Sequence, residues 1–331
     1  MAIKNMDKIY QRAEEIIAVP DLCYNEGDPR IANVTSEEIV TAIDMLNESE
    51  RRASESYYIP PKERKHILSL RGTIYIIFML EMWACRSWVI SERLIGANLC
   101  KLEIITLKAN EIIPCLPWRQ YIKIDWYITF NQSVMLKTII NSKATKYEDR
   151  LFAILPHTKY KAAKQKLLNK GQRIETMIDL KMALLDILDN RDKIILLQYE
   201  DYLRIKSTQV RPGQPSFLHD QTIPPNLEMA WYQGSVFCSI ETMKIYGKHA
   251  LKVSGRYSVD PTKKATARTA ELLRDKVDSV VKIFMVHKGA GSNSCLCLRC
   301  AGSKGVWVVD SMQLSGRGGC EGFPYGEFII F

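Results

Sequence analysis

Apolar residues in the first two thirds of the chain recur at helical spacing. Near the start, apolar side chains at intervals of three and four predict one buried face of a short helix: Met6, Ile9, Tyr10, Ala13, Ile16 and Ile17. The overlapping segment IIAVPDL is rich in aliphatic residues and contains a proline, which predicts a short buried strand. Because one strand cannot form a sheet, we expect it to pair with a later strand or with a region that precedes this chain.

Further helices and one strand follow. We predict helices over 37–53, 62–83 and 87–97, a strand over 101–107, and several helices between residues 133 and 205. Thr35 or Ser36 is a candidate cap for the first of these helices. Within 174–190, five apolar residues share one helical face: Met177, Leu180, Leu184, Leu185 and Leu188.

The last third of the chain changes to strand-like sequence. Glycine-rich turns separate KIFMVHK, SCLCLRC, GVWVVDS and EFIIF, and a helix is expected before them, around 265–281. The segment 207–226 contains four prolines, which predicts a linker or long loop. We therefore divide the chain into an α/β unit over 1–110, a mainly helical region over 111–206, this linker, and an α+β module with a small antiparallel sheet over 227–331.

Composition limits the class of protein. The 331 residues are 47% hydrophobic and 25% charged, which is sufficient for a buried core and argues against wholesale disorder. The net charge of +9 suggests nucleic acid, but the basic residues are scattered among acidic ones. The densest basic groups, PPKERKH, KYKAAKQK and PTKKATAR, are typical of solvated helix ends or loops. We therefore do not expect nucleic acid as a partner.

Neither the cysteines nor the apolar stretches indicate secretion or a membrane. The nine cysteines lack the even, dense spacing of a disulfide-stabilised scaffold, and the first residues contain no apolar signal core. The most apolar stretch, GTIYIIFMLEMWA, is too short to cross a bilayer and is interrupted by Glu81. We expect a soluble, cytoplasmic protein with no membrane partner.

Three stretches resemble the fungal heterokaryon-incompatibility (HET) domain. MDKIYQRAEEIIAVPDL is similar to the family block in which Met-x-x-Ile-Tyr and a following alanine lead into a short strand; Met6, Ile9, Tyr10 and Ala13 match it. MWACRSWVISERLIG resembles the block Arg-x-Trp-x-x-Gln-Glu. Its matching residues are Arg86, Trp88 and Glu92, and Ser91 stands where the family usually has glutamine. YEDRLFAILPHTKYK resembles a segment downstream of the domain in some members from early-diverging fungi. Together the three stretches span about the first half of the chain.

The resemblance implies a partial flavodoxin-like or TIR-like α/β unit. It also implies an intracellular interaction or effector protein of fungal non-self recognition and programmed cell death, with other proteins of that pathway as partners and no cofactor. HET domains normally begin with two further blocks, Ser-x-x-Trp-Gly and Trp-Ile-Asp, and neither is present. A truncated, degenerate or split gene would account for this, and it leaves open whether the chain is an enzyme.

Glu92 is the first candidate for catalysis. Some TIR domains, to which the HET fold is held to be related, hydrolyse NAD with a glutamate in a Ser-x-Trp-Cys-x-x-Glu helix, and CRSWVISE has the same Trp-to-Glu spacing. Trp88 and Glu92 are one helical turn apart on one face, and an aromatic neighbour that excludes water raises a carboxyl pKa. The alternative is that Trp88 packs in the core while Arg86 and Glu92 pair with nearby charges.

Cys238, His287 and Asp310 occur in papain-like order and form a second candidate. We predict Cys238 in a loop that leads into a helix N-terminus, and His287 and Asp310 on neighbouring strands as base and orienting group. The alternative is a buried cysteine, a surface histidine and an aspartate that caps a turn.

The cysteines of the last third form a third candidate. Cys295, Cys297 and Cys300, with Cys320, have thiolates that could bind zinc. A half-buried strand gives the same pattern, and we predict no metal.

Overall fold

The protein is a mixed α/β chain that forms two compact units. A computed structural model describes residues 6–20, 29–55, 58–99, 101–113, 118, 121, 132–163, 167, 173–206, 214–227, 234–262, 264–274, 276–287, 289, 294–316 and 322–331. The first unit comprises Met1–Phe130, Ser142–Thr145 and Asp149–Thr158; the second comprises Asn131–Asn141, Lys146–Glu148 and Lys159–Phe331.

Helices dominate the first half of the chain and strands its C-terminal end. The α-helices are α1 (Met6–Arg12), α2 (Ser36–Ser54), α3 (Pro61–Ser69), α4 (Arg71–Ala84), α5 (Ser87–Asn98), α6 (Gln132–Asn141), α7 (Tyr147–Ile154), α8 (Met177–Ile187), α9 (Asn190–Lys206) and α10 (Ala267–Leu272). The strands are β1 (Ile16–Ala18), β2 (Leu102–Thr106), β3 (Glu111–Ile113), β4 (Cys238–Ile245), β5 (Lys248–Val259), β6 (Ser279–His287), β7 (Cys295–Ser303), β8 (Val306–Ser315) and β9 (Tyr325–Ile330).

The first unit contains a three-stranded sheet in the order β1-β2-β3. β1 pairs in parallel with β2, with Ile16 opposite Leu102, so the short strand joins a sheet that is completed later in the chain. Helix α5 lies very close to this sheet, because a Cβ at Gly96 would be 2.7 Å from the Cβ of Leu102. The close approach of α5 to β2 therefore requires a glycine at position 96.

The helix predicted over 62–83 is two helices. α3 and α4 meet at Leu70, whose backbone is extended, and their axes differ by 76°. At Gly72, just beyond the bend, an added Cβ would overlap with the carbonyl oxygen of Glu38, so tertiary packing against α2 determines where α4 begins. No single helix among the described residues is long and apolar enough to cross a membrane; α3 and α4 reach that length only together, across the bend.

The cap predicted before α2 is confirmed. The Thr35 hydroxyl accepts a hydrogen bond from the Glu38 backbone N–H at 3.2 Å, and the Glu38 carboxylate accepts one from the Thr35 N–H at 2.8 Å. This reciprocal pair satisfies two of the donors that a helix N-terminus leaves open.

The second unit contains a six-stranded sheet, β4 to β9 in sequence order. The four predicted strands are confirmed as β6 to β9, while β4 and β5 are additional. β5 also pairs with β9, with Leu251 opposite Ile330. Because of this additional pairing, strands β5 to β9 form a closed, barrel-like sheet. The sheet is not wholly antiparallel, because β8 and β9 pair in parallel. Helix α10 is shorter than the predicted helix.

The predicted linker packs as part of the second unit. In its described part, residues 214–226, Phe217, Leu218 and Ile223 are each at most 2% exposed. The Lys181 ammonium of α8 donates to the carbonyl oxygens of His219 at 2.6 Å and Gln221 at 2.8 Å. The segment is a long loop held against α8, and the residues on both sides of it belong to the same unit.

Candidate functional site

The two HET-like blocks lie together in the first unit, where helix α1 packs on helix α5. Three hydrogen bonds fix the end of α1 next to the start of β2. The Lys101 ammonium donates to the carbonyl oxygens of Ala13 at 2.5 Å and Gln11 at 3.1 Å, and the Ile16 N–H donates to the Lys101 carbonyl at 2.8 Å. A cation at a helix C-terminus is also favoured by the helix dipole. Tyr10 is thereby placed within electrostatic reach of α5.

Glu92 is half-buried, and its carboxyl group is electrostatically unusual. Burial raises the pKa of Glu92 from its ordinary value of 4.5 to about 7, and the positive charges of Arg86 and Arg93 reduce this increase. Burial raises the pKa of Tyr10 to about 12, the negative charge of Glu92 adds to the increase, and Arg86 opposes it. Tyr10, Arg86 and Glu92, which we call the Glu92 cluster, therefore act on one another. A carboxyl group with a pKa near 7 can both donate and accept a proton at neutral pH.

A short segment after α6 fixes the start of α5. The Ser87 N–H donates to the Lys143 carbonyl at 2.9 Å, and the Lys143 N–H donates to the Cys85 carbonyl at 2.8 Å. The Ser87 hydroxyl also lies 3.1 Å from that of Ser142. These contacts hold Arg86 at the first turn of α5 with its side chain exposed. The exposed guanidinium of Arg86, near the half-buried Glu92, is accessible to an anionic group of a ligand or partner.

Ser91 connects α5 to the segment 147–161, which follows α6 along the chain. It is fully buried, and its hydroxyl donates to the Ala153 carbonyl at 2.5 Å. The same oxygen is 2.9 Å from Nε2 of His157, a residue that no sequence motif singles out. His157 ends a 3-10 turn, Leu155–His157, directly after α7. These two contacts of the Ser91 hydroxyl hold α5 against the segment that contains α7 and the turn after it.

The other residues of the two blocks have mixed environments. Trp88 is half-buried, one turn before Glu92 on the same face of α5. Tyr10 and Ala13 pack against the hydrophobic core of the first unit. The sequence predicts Ile9 on the buried face of the first helix, but it is 49% exposed. The reason is that α1 is only seven residues long and covers little surface. The side chain of Met6 lies outside the described residues.

The papain-like residues are not arranged as the sequence predicts. Cys238 begins strand β4 instead of preceding a helix, and burial raises the pKa of its thiol to about 12. The Asp310 carboxylate accepts hydrogen bonds from the Thr266 N–H and hydroxyl, both at 2.8 Å, and pairs with Arg299.

Strand register separates His287 from Asp310. His287 lies opposite Cys295, at one end of β7, whereas Asp310 lies opposite the step from Arg299 to Cys300. Four to five residues of strand correspond to about 15 Å. The geometry therefore does not supply the base and orienting group that an activated thiol needs.

The zinc candidates are buried in strand β7. Cys295 and Cys297 pack with Phe284 in a small hydrophobic cluster, and the Cys297 thiol lies 3.7 Å from the Cys295 carbonyl. Burial raises the pKa of the Cys300 thiol, which disfavours the thiolate that a metal would need. Cys320 lies outside the described residues. Among the residues that are described, no group of three or more His, Cys, Asp or Glu side chains is arranged to hold a metal ion.

Comparison with protein-family models, with curated proteins and with solved structures finds no significant match to this chain.

Proposed function

We propose that this chain is a HET-type effector of fungal non-self recognition and programmed cell death, acting in the cytoplasm through contacts with other proteins of that pathway. The observation that carries the proposal is the Glu92 cluster. Tyr10 comes from one HET-like block, Arg86 and Glu92 come from the other, and the fold brings them together although they are far apart in sequence.

The surrounding architecture is compatible with a partial flavodoxin-like unit. Parallel strands need a crossover connection, and helices α2 to α5 provide one between β1 and β2. In such folds ligands bind outside the carboxyl ends of parallel strands. The cluster differs from that rule, because it is built from α1 and α5. This favours a surface for a partner, with the exposed Arg86 as its charged contact.

Induced expression in a filamentous fungus tests the proposal. We expect growth arrest and uptake of a vital dye with the wild-type chain, and loss of both with Glu92→Gln at equal protein level. Glu81→Gln is the matched control, because Glu81 is an exposed carboxylate on the neighbouring helix α4. Growth arrest that persists in Glu92→Gln, or normal growth with the wild-type chain, would contradict the proposal.

NAD cleavage is the second candidate function, and the pKa of Glu92 near 7 favours it specifically. In this reaction the bond between C1′ of the ribose and the nicotinamide nitrogen breaks, and its electron pair leaves with neutral nicotinamide. The ionised form of Glu92 would stabilise the developing ribosyl cation. Water then attacks C1′ and releases a proton that the carboxylate can accept, giving ADP-ribose. Arg86 is the candidate contact for a phosphate group.

The two functions are separated by measuring NAD in the expressing cells and with the purified chain. Cleavage predicts loss of NAD and formation of nicotinamide with the wild-type chain, neither of which occurs with Glu92→Gln. Growth arrest without loss of NAD would retain the effector proposal and exclude cleavage. Equal loss of NAD with wild type and Glu92→Gln would exclude Glu92 as the catalytic carboxylate.

A further inference from the structure

The second unit contains an open apolar groove. Its walls include Ile245 and Tyr246 at the end of the β4–β5 hairpin, Leu272 of α10, Val306 and Val308 of β8, and Phe331. The groove has a volume of about 560 Å³, which lies in the range of small-molecule binding sites. Its lining is dominated by aliphatic and aromatic side chains, so it suits an apolar group.

A smaller, polar cavity adjoins this groove. It has a volume of about 20 Å³ and is lined by Arg204, His219 and Arg268, among others. Four residues line both cavities: Gln214, Pro215, Ser216 and Leu272. An apolar groove therefore lies directly beside a basic pocket with room for about one water-sized group.

The charged side chains that line the two cavities are all basic. They are Arg204, His219, Lys248, His249 and Arg268, and the described lining residues include no aspartate or glutamate. Asp201, behind the wall, pairs with Arg204 and neutralises part of this charge. Behind the lining, Glu200 lies 3.5 Å from Nδ1 of His219 and Asp179 lies 3.8 Å from Nε2 of His249. The positive charge of the lining is therefore partly balanced, and it suits one small anionic group.

Arg204 supplies an unused hydrogen-bond donor. Its side chain is 9% exposed, and Nη2 is engaged by Asp201, but Nη1 is buried and has no hydrogen-bond partner among the described residues. A buried donor without a partner is costly, and hydrogen bonds to an anionic oxygen are stronger than those to a neutral one. An anionic oxygen in the small cavity would satisfy this donor.

We propose that the two cavities form one binding site for an aliphatic monocarboxylate, with a carboxylate oxygen at Nη1 of Arg204 and the tail in the apolar groove. Arg268 contributes its positive charge beside that oxygen, while its own Nη1 donates to the Arg204 carbonyl at 2.9 Å and its Nη2 lies 3.3 Å from Nε2 of His219. The size of the inner cavity favours a carboxylate over a phosphate, because it admits one oxygen-sized group and a phosphate presents more. The site belongs to the second unit and is independent of the function proposed for Glu92.

Isothermal titration calorimetry on the full chain tests the site with three ligands of equal tail length. Dodecanoate, below its micellar concentration, is expected to bind. Dodecanol, which lacks the charge, is expected to bind at least tenfold more weakly, and dodecylammonium, with the opposite charge, more weakly still. Equal binding of dodecanoate and dodecanol would overturn the contact with the basic pocket. No binding of dodecanoate at millimolar concentration would overturn the site.

Two variants locate the ligand. Arg268→Gln is expected to weaken dodecanoate at least tenfold and to leave dodecanol unchanged; it is preferable to a change at Arg204, which would leave the buried Asp201 without its partner. Leu272 lines both cavities, so the larger side chain in Leu272→Trp would occupy part of the space for the ligand. We expect this variant to bind neither dodecanoate nor dodecanol. Leu314→Trp is the matched control, since Leu314 is exposed on β8 and lines neither cavity. Dodecanoate binding that is unchanged in Leu272→Trp would overturn the proposal, whatever the folding of Arg268→Gln.

Discussion

Replacement of Lys181 by methionine should strongly destabilise the second unit. Lys181 of α8 and Glu200 of α9 form an ion pair at 2.7 Å, with exposed side-chain fractions of 0% and 2%. The Lys181 ammonium also donates to the His219 and Gln221 carbonyls, and the Glu200 carboxylate accepts from the His219 N–H at 2.6 Å. One buried pair therefore connects two helices and the loop that carries His219.

The expected magnitude follows from what the substitution leaves behind. In Lys181→Met the Glu200 carboxylate stays buried without its cation, and removal of one partner of a buried pair typically costs about 3–5 kcal/mol. Two carbonyl groups also lose a donor, so we expect the upper end of that range. Lys181→Met combined with Glu200→Gln removes the uncompensated charge and should recover at least half of the loss. Lys252→Met is the control, because its pair with Glu327 is accessible to solvent and is expected to contribute little to stability.

Hydrogen exchange measured by mass spectrometry gives the required free energies locally. Peptides from α9 report opening of the second unit separately from the first, which avoids treating a chain of two units as one transition. We expect Lys181→Met to accelerate their exchange by several hundred-fold or more. Acceleration no larger than in Lys252→Met, or no recovery in the double variant, would refute the assignment of Lys181 and Glu200 as a stabilising buried pair.

Two further predictions concern the first unit. The pKa of Glu92 is about 7 in the folded chain and 4.5 in the unfolded chain. Between these two pH values the folded chain binds a proton at Glu92 and the unfolded chain does not. The free energy of unfolding should therefore fall by about 3 kcal/mol as the pH rises from 4.5 to about 7. Urea unfolding at several pH values should show this fall in the wild type and not in Glu92→Gln; parallel curves would contradict it. Gly96→Ala places a Cβ 2.7 Å from that of Leu102, where carbon atoms normally approach to about 3.5–4 Å. The resulting strain of about 1–3 kcal/mol outweighs the gain of up to about 1 kcal/mol from alanine in a helix. The unfolding midpoint of the first unit should therefore fall. An unchanged or raised midpoint would show that α5 can move away from β2 without cost.

Local sequence patterns predict those elements whose form depends on local burial. The apolar face of 174–190 is confirmed, because Met177, Leu180, Leu184, Leu185 and Leu188 are all buried. The break at Leu70 is not visible in the pattern, since apolar spacing continues through it and the bend depends on contact between Gly72 and Glu38. Periodicity reports which face is buried, and it does not report where a helix must bend to reach its neighbour.

The candidate site could be predicted only in part. The spacing of Trp88 and Glu92 predicts a carboxyl group with a raised pKa on α5, and the pKa of Glu92 has that direction. The proximity of Tyr10 and the bond between Ser91 and His157 depend on long-range packing. Cys238 illustrates the opposite case. The glycine and serine before its strand suggest a loop, and the residue that pairs with it is Gly255, at the far end of the next strand, β5.

Titration of Glu92 by carbon-13 NMR tests the Glu92 cluster most directly. The side-chain carboxyl carbon, labelled in all glutamates, is assigned by its absence in Glu92→Gln and followed from about pH 4 to 9. We expect a pKa of about 7 in the wild type, and a higher pKa in Arg86→Gln, because the positive charge of Arg86 lowers it. A wild-type pKa near the ordinary value of 4.5, or one that does not respond to the loss of Arg86, would show that Tyr10, Arg86 and Glu92 do not form one site.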